Sequence, residues 1–347
     1  MQTFPADLEW SAPEGWTTIQ TIDAHAGGEP LRLVVDGFPE LAGETVLEKR
    51  RHLREASDEF RTALMWEPRG HADMYGAVLV EPSASEADVG VLFMHNDGYS
   101  TMCGHGIIAL GTILVETGVV DPSGADPSIR FETPAGLVTA APRLVDGRVA
   151  SVAFENVASF VYVRDRTVEV PGVGSVSYDV AFGGAFYAYC TAEDVGVDLA
   201  SASAGELVAV GRAIKTAVAD DLDVEHPHEP DLSFLYGTVI TSGTETAGVD
   251  SRNVCVFADG EIDRCPTGTG VSGRVARRAA DGRLAPGERF TVESIVGSTF
   301  TGWYEEERSF GGYDAVVPHV EGSAHVTGRH TFVVDPEDPF RDGFFLR

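Results

Sequence analysis

The sequence predicts an α/β (α+β) fold built from two similar halves. In each half, several short strand-like segments precede one glycine-bounded helix. The first helix follows the motif MCGHG at residues 102–106, and the second follows the motif DRCPTGTG at residues 263–270. Because both helices begin at a Gly-x-Gly triplet, we interpret the two motifs as a pseudo-symmetric pair. A boundary between the halves is expected near residues 142–148.

The first half is predicted to span residues 1–145. It opens on a strand–loop–strand unit, with alternating residues at 18–24, a glycine-containing loop at 25–30 and a second strand at 31–35. Residues 45–64 form the best amphipathic helix of the chain, because they are rich in charged and straight-chain residues. Further strands are predicted at 74–80, 90–94, 129–133 and 137–141, and the buried helix that follows residue 103 extends to residue 116.

The second half is predicted to span residues 146–334, while residues 335–347 return to complete the first half. A helix is expected at residues 206–219 and another after residue 267. Strands are expected at 149–154, 160–163, 175–182, 186–190, 239–241, 254–257, 290–294, near 300, at 315–317 and at 330–334.

Cys103 is the first candidate for chemistry. It stands at a helix N-terminus, where unpaired backbone N–H groups and the helix dipole favour negative charge. This position should favour a thiolate over a thiol, and the same N–H groups could bind a substrate carboxylate. Superimposing the Gly-x-Gly triplets places Thr267 opposite Cys103, so both helix ends would face one small anionic ligand. A cysteine that merely caps a buried helix is the alternative.

The composition narrows the class of protein. The chain has 347 residues, 43% of them hydrophobic, which is enough for a sizeable core in one large or two ordinary domains. A net charge of −29 argues against nucleic acids and anionic membranes as partners. Lysine occurs only at Lys49 and Lys215, which suggests either a high-salt habitat or simply an acidic soluble protein.

Cysteine usage and the N-terminal sequence favour a cytoplasmic enzyme. The four cysteines contain no C-x-x-C pair, so a structural zinc site is not expected, and the histidines show no metal-ligand spacing. Residues 1–15 have no apolar segment of the signal-peptide type, and no run approaches the roughly 18 apolar residues of a membrane helix.

Six separated motifs, in order, resemble those of the proline racemase family over nearly the whole chain. They are IDAHAGGEP at 22–30, EPRGHADMYG at 67–76, MCGHG at 102–106, DVAFGG at 179–184, RNV at 252–254 and DRCPTGTG at 263–270. The resemblance implies two α/β halves that each wrap a sheet around a central helix, with the active site in the cleft between them. It also implies action on proline or hydroxyprolines without a cofactor or metal, and a homodimer.

One departure from the family pattern concerns the second motif. The racemases and epimerases of the family have cysteine at the position of Thr267, whereas this chain has its cysteine at 265, one residue before Pro266. A cysteine–threonine pair resembles the branch that dehydrates trans-3-hydroxy-L-proline. Racemisation needs an acid/base group on each face of the α-carbon, and a threonine hydroxyl is too weak for this near neutral pH. A site with a single base is instead suited to elimination.

These considerations give each residue an expected role. Cys103 is the general base. Thr267 contacts the substrate, and proton relay through its hydroxyl stays open as an alternative. The backbone around Gly104, His105, Gly268 and Thr269 holds the carboxylate. Asp263 binds the ring nitrogen, unless it pairs with Arg264 or caps a turn, and His105 orients the substrate or caps its helix. A proline racemase or 4-hydroxyproline 2-epimerase that uses Cys265, and an amino-acid-binding protein without turnover, are the alternatives.

Overall fold

The computed structural model describes residues 10–121 and 127–346. Each half contains a series of strand pairs in the same order. In both halves the successive pairs are antiparallel, parallel, antiparallel, parallel, antiparallel and antiparallel. The expected two-half α/β architecture is therefore confirmed.

The first half surrounds a central helix, α3. Its strands are β1 Thr17–Ala26, β2 Glu29–Asp36, β3 Tyr75–Val80, β4 Val89–His95, β5 Tyr99–Ser100, β6 Ile129–Thr133, β7 Gly136–Val145 and β8 Arg148–Glu155, and its helices are α1 Val46–Ala56, α2 Asp58–Met65 and α3 Gly104–Glu116. Helix α3 is buried from Gly104 to Val115, as its apolar composition predicts, and packs against β1, β2, β7 and β8.

The second half surrounds helix α5 in the same way. Its strands are β9 Ser159–Val170, β10 Gly174–Phe182, β11 Phe186–Thr191, β12 Leu235–Ser242, β13 Ser251–Phe257, β14 Glu261–Ile262, β15 Phe290–Glu293, β16 Thr299–Phe310 and β17 Tyr313–Gly322, and its helices are α4 Ala204–Asp221 and α5 Gly268–Ala280. Strand β17 pairs with β9, so these strands close into a ring around α5.

The last strand, β18 (Ala324–Val334), pairs with β1 over its whole length and contacts α3. It therefore occupies in the first half the place that β9 occupies in the second. The predicted division after residue 145 stays a prediction. Strand β8 pairs with β7 of the first half and also with β17 of the second, and residues 324–334 pair with β1 of the first half.

The amphipathic stretch at 45–64 differs from the expectation of one helix. Thr45 and Glu48 form a capping box that starts α1. Ser57 then leaves the helical region with φ −148° and ψ 26°, while its N–H donates to the Leu53 carbonyl and ends the helix. The prediction of a continuous helix was wrong because apolar periodicity does not register a single non-helical serine.

None of the helices in the described ranges is long and apolar enough to cross a membrane.

Candidate active site

The N-termini of α3 and α5 abut at the boundary between the halves. A Cβ atom added to Gly104 would lie 2.6 Å from the Cα of Gly268, so only glycine permits this approach. Beside this contact lies a cavity lined from both halves, and it brings together all seven residues that the sequence predicted: Cys103, Gly104, His105, Asp263, Thr267, Gly268 and Thr269. Its free volume of about 20 Å³ is close to the minimum for one water, so the cleft must widen to admit a proline-sized ligand.

Cys103 occupies the N-cap position of α3. Its Sγ accepts a hydrogen bond of 3.2 Å from the backbone N–H of Gly106 and lies 3.3 Å from His105 Nδ1. That N–H lowers the pKa of the thiol, as expected for a helix N-terminus, but burial raises the pKa well above its ordinary value, and Asp263 and Glu29 raise it further. Burial thus outweighs the helix terminus, and Cys103 is a protonated thiol in the closed cleft.

Thr267 lies at the start of α5 with φ +65°, a left-handed conformation that is unfavourable for a β-branched residue. Its hydroxyl donates a hydrogen bond of 2.7 Å to Asp263 Oδ2, and the other carboxylate oxygen accepts a 2.7 Å bond from the Cys265 N–H. Burial raises the pKa of Asp263 to about 6, since these hydrogen bonds only partly offset the loss of water. Asp263 therefore changes charge close to neutral pH.

Cys265 does not line the cavity. Its side chain is fully buried and is not among the lining residues, and its Sγ accepts the Thr267 N–H at 3.3 Å. A Cβ atom on Gly27 would lie only 3.0 Å from the Cys265 Cβ, so Cys265 packs against the loop of the first half. Cys190 and Cys255 are buried in the core, in agreement with their apolar sequence context.

His105 is buried and neutral. Burial lowers its pKa to about 3, against a smaller raising contribution from the Pro30 backbone, and the edge of its ring contacts Tyr75 at a centroid distance of 4.7 Å. A neutral imidazole beside the thiol does not stabilise a thiolate by charge. The orienting role expected for His105 remains consistent with this geometry and stays a prediction.

Glu29 links the two halves through hydrogen bonds to Arg264. Its Oε2 accepts hydrogen bonds from the backbone N–H of Arg264 at 2.8 Å and from the guanidinium at 3.3 Å, while Oε1 has no hydrogen-bond partner among the described residues. Burial and the neighbouring Asp263 raise the pKa of Glu29 well above its ordinary value. The sequence places Glu29 only in the glycine-containing loop at 25–30. The position of this acidic residue next to Gly27 and Gly28 was the one available signal.

The remaining wall of the cavity is aromatic and was not predicted as part of the site. It consists of Tyr75, Tyr187, Tyr236 and Phe257, together with Met102. The Tyr187 and Thr269 hydroxyls lie 2.7 Å apart, and the Tyr75 hydroxyl donates to Ser100 Oγ at 2.6 Å and lies 3.4 Å from the Tyr236 hydroxyl. These hydroxyls place hydrogen-bonding groups in an otherwise apolar wall.

Three groups that can bind metals also meet at this site. Ligand atoms of His105, Asp263 and Cys265 lie within 4.8 Å of one another. The set is compact but mixed, since it combines one nitrogen, one oxygen and one sulfur ligand. Sequence spacing gave no indication of it, because the residues come from different halves.

The fold and the site place two helix N-termini, a thiol and a carboxyl group around one small cavity. The family model described as "Proline racemase" matches residues 21–345, and the chain belongs to this family. It is 45% identical to the human trans-3-hydroxy-L-proline dehydratase, covering 96% of each chain. It is 44% identical to the enzyme of the same name from Colwellia psychrerythraea, covering 96% of this chain and 94% of the relative.

Epimerases are also among the similar proteins. A 3-hydroxyproline 2-epimerase from Burkholderia multivorans is 42% identical, covering 95% of this chain and 98% of the relative. The crystal structure of a hydroxyproline epimerase from Agrobacterium vitis with bound trans-4-hydroxy-L-proline superimposes with a TM-score of 0.90 at 30% identity, covering 95% of this chain and 96% of the other.

Proposed function

We propose that the protein dehydrates trans-3-hydroxy-L-proline to Δ1-pyrroline-2-carboxylate without a cofactor. The observation that carries this proposal is the identity of the residues facing the cavity, which has one thiol, Cys103, and a hydroxyl at Thr267 where a second thiol would be needed for racemisation. Relatives that bear the dehydratase name at 44–45% identity over nearly the full length support it.

The substrate is held by both halves. Backbone N–H groups at the start of α3 and α5, around Gly104, His105, Gly268 and Thr269, bind the carboxylate, because the first N–H groups of a helix have no intrahelical partner. Asp263 binds the ring ammonium. The same N–H groups stabilise the negative charge that develops on the carboxylate when the α-proton leaves.

Cys103 acts as the base. In trans-3-hydroxy-L-proline the α-hydrogen lies on the same face of the ring as the hydroxyl group, so one group placed on that face reaches both. The Cys103 thiolate takes the α-proton and becomes a thiol, the C3–O bond breaks, and the departing hydroxide receives the proton of that thiol and leaves as water. The resulting enamine tautomerises to the Δ1-pyrroline.

The Cys103 thiol must lose its proton before it can act as the base, because burial raises its pKa in the closed cleft. The cleft widens to admit the substrate, which hydrates the thiol and removes much of the burial penalty. The ring ammonium of the substrate then brings a positive charge next to the sulfur, which favours the thiolate after closure. In this proposal the substrate itself sets the charge state of the base.

Thr267 does not serve as a second base. Its hydroxyl proton is directed to Asp263 Oδ2, so its lone pairs are free to accept a hydrogen bond from the substrate. A hydroxyl that donates to a carboxyl group binds and orients the ring nitrogen but does not abstract a carbon-bound proton at neutral pH.

The second candidate is 2-epimerisation of a hydroxyproline, which the Burkholderia multivorans relative favours. It requires a second acid/base group opposite Cys103. Cys265 is the nearest thiol in sequence, but it packs towards Gly27 and does not line the cavity. The geometry therefore favours dehydration.

The test is to incubate the protein in heavy water with trans-3-hydroxy-L-proline and, separately, with trans-4-hydroxy-L-proline and L-proline. We expect a ketimine signal with an aldehyde reagent from the first substrate alone. Inverted, α-deuterated product without ketimine would identify an epimerase or racemase and overturn the proposal.

A matched pair of cysteine variants separates turnover from binding. Cys103→Ser should abolish ketimine formation, whereas Cys190→Ala, which changes a buried core cysteine outside the cavity, should not. Binding of trans-3-hydroxy-L-proline without turnover by the unmodified protein would favour an amino-acid-binding protein instead.

The homodimer and the cytoplasmic location remain predictions, which sedimentation velocity and cell fractionation test directly.

A further inference from the structure

We infer that the Tyr75 hydroxyl is a further catalytic group, which delivers the proton that the departing 3-hydroxyl group needs. This inference rests on the proposed dehydration. In it, Cys103 removes the α-proton and Tyr75 protonates the leaving hydroxyl group, whereas otherwise the Cys103 thiol would perform both steps.

Tyr75 is placed next to the base. Its ring lines the cavity together with Cys103 and contacts the edge of the His105 ring, whose Nδ1 lies 3.3 Å from the Cys103 Sγ. Burial raises the pKa of the Cys103 thiol most, and the nearby Tyr75 hydroxyl lowers it. Tyr75 and Cys103 thus line the same small cavity.

Tyr75 also has the properties of an acid rather than a base. Its ring is buried, and burial raises the pKa of the phenol well above its ordinary value, so Tyr75 keeps its proton at neutral pH. The hydroxyl donates to Ser100 Oγ at 2.6 Å and lies 3.4 Å from the Tyr236 hydroxyl, and these contacts orient it. When the substrate is bound, the hydroxyl turns its proton from Ser100 to the leaving oxygen. A positioned, neutral donor in a site closed from water suits protonation of a hydroxide leaving group.

The proton transfers balance between Cys103 and Tyr75. The Cys103 thiolate takes the α-proton and becomes a thiol, and the electron pair of the Cα–H bond forms the new ring double bond. As the C3–O bond breaks, the Tyr75 O–H proton passes to the leaving oxygen and water forms. The Cys103 thiol then protonates the Tyr75 phenolate, which restores both residues for the next turnover.

The experiment compares two leaving groups on the Tyr75→Phe variant. Fluoride leaves as a stable anion and needs no proton, so trans-3-fluoro-L-proline reports the base step without the acid step. We expect Tyr75→Phe to reduce kcat for trans-3-hydroxy-L-proline about 10²-fold or more. The loss for the fluoro substrate should be at least about tenfold smaller, because the acid contribution is absent. Both substrates are measured on one preparation, so a reduced fraction of folded protein cancels from the ratio.

Tyr187→Phe is the matched control. It removes a phenol hydroxyl from the same wall, but that hydroxyl is paired with Thr269 Oγ1. Any effect of this variant should be equal for the two substrates.

The outcomes are distinct. Equal losses for both substrates in Tyr75→Phe would make Tyr75 a positioning residue, and no loss for either would remove it from the mechanism; both results overturn the inference. Failure of the unmodified protein to convert trans-3-hydroxy-L-proline would contradict the proposed function itself.

Discussion

The contact between the starts of α3 and α5 gives the sharpest prediction, which concerns Gly104→Ala. A Cβ atom at this position would lie 2.6 Å from the Gly268 Cα, whereas ordinary contact begins at 3.4 Å, so the two helix starts must separate by about 1 Å. The clash is with backbone, which cannot rotate away as a side chain can. Because the carboxylate and the base are positioned by these two helix ends, a displacement of this size should lower kcat/KM about 10²-fold, or ~2.7 kcal/mol of transition-state stabilisation.

The assay is the initial rate of ketimine formation at several concentrations of trans-3-hydroxy-L-proline, with the melting temperature measured alongside. Gly205→Ala is the control, since Gly205 lies in α4 and a Cβ atom there meets no atom within 4 Å. It should keep full activity and gain up to about 1 kcal/mol of stability from better helix propensity. Wild-type kcat/KM in a folded Gly104→Ala variant would refute the reasoning that this contact sets the geometry of the site.

Three further predictions concern side chains of the cavity. Thr267→Cys places a second thiol opposite Cys103 and should add exchange and inversion at the α-carbon, detected by chiral chromatography in heavy water; a variant that shows neither would contradict the one-base argument. Because burial raises the pKa of Asp263 to about 6 and only its ionised form binds a ring ammonium, kcat/KM should rise with pH through about 6, and a flat profile from pH 5 to 7 would count against this role. Zn²⁺ should inhibit by binding His105, Asp263 and Cys265, with activity restored by a chelator. Cys265→Ser should retain turnover with weaker inhibition, and unchanged inhibition would exclude Cys265 as a ligand.

Local sequence was sufficient for the elements that carry the chemistry. The helices at Gly104–Glu116 and Gly268–Ala280 are confirmed, because neither segment contains proline and both carry apolar residues at helical spacing. The hairpin of β1 and β2 is also confirmed. The matching of Cys103 with Thr267 followed from the repeated motif, and the structure brings both residues to one cavity.

Long-range geometry was not accessible in the same way. Tyr75, Tyr187, Tyr236 and Phe257 come from separate strands, and alternation along a strand does not tell which face meets the opposite half. The charge state of Cys103 also could not be predicted from the sequence. A helix N-terminus predicts a thiolate, but the burial that opposes it arises only when the halves close over the sulfur.

The pairing of β18 with β1 reverses the order in which the two halves can be completed during synthesis. All strands of the ring around α5 are contiguous, from residue 159 to 322, and need nothing made later. The first half is translated first, yet Thr17 pairs with Val334, so β1 lacks one neighbour until more than 300 further residues have been added. At typical rates of elongation this is on the order of 15–60 s, during which a nascent chain carries an unpaired strand edge of the kind that chaperones bind. The half that bears Cys103 is thus the last to be finished.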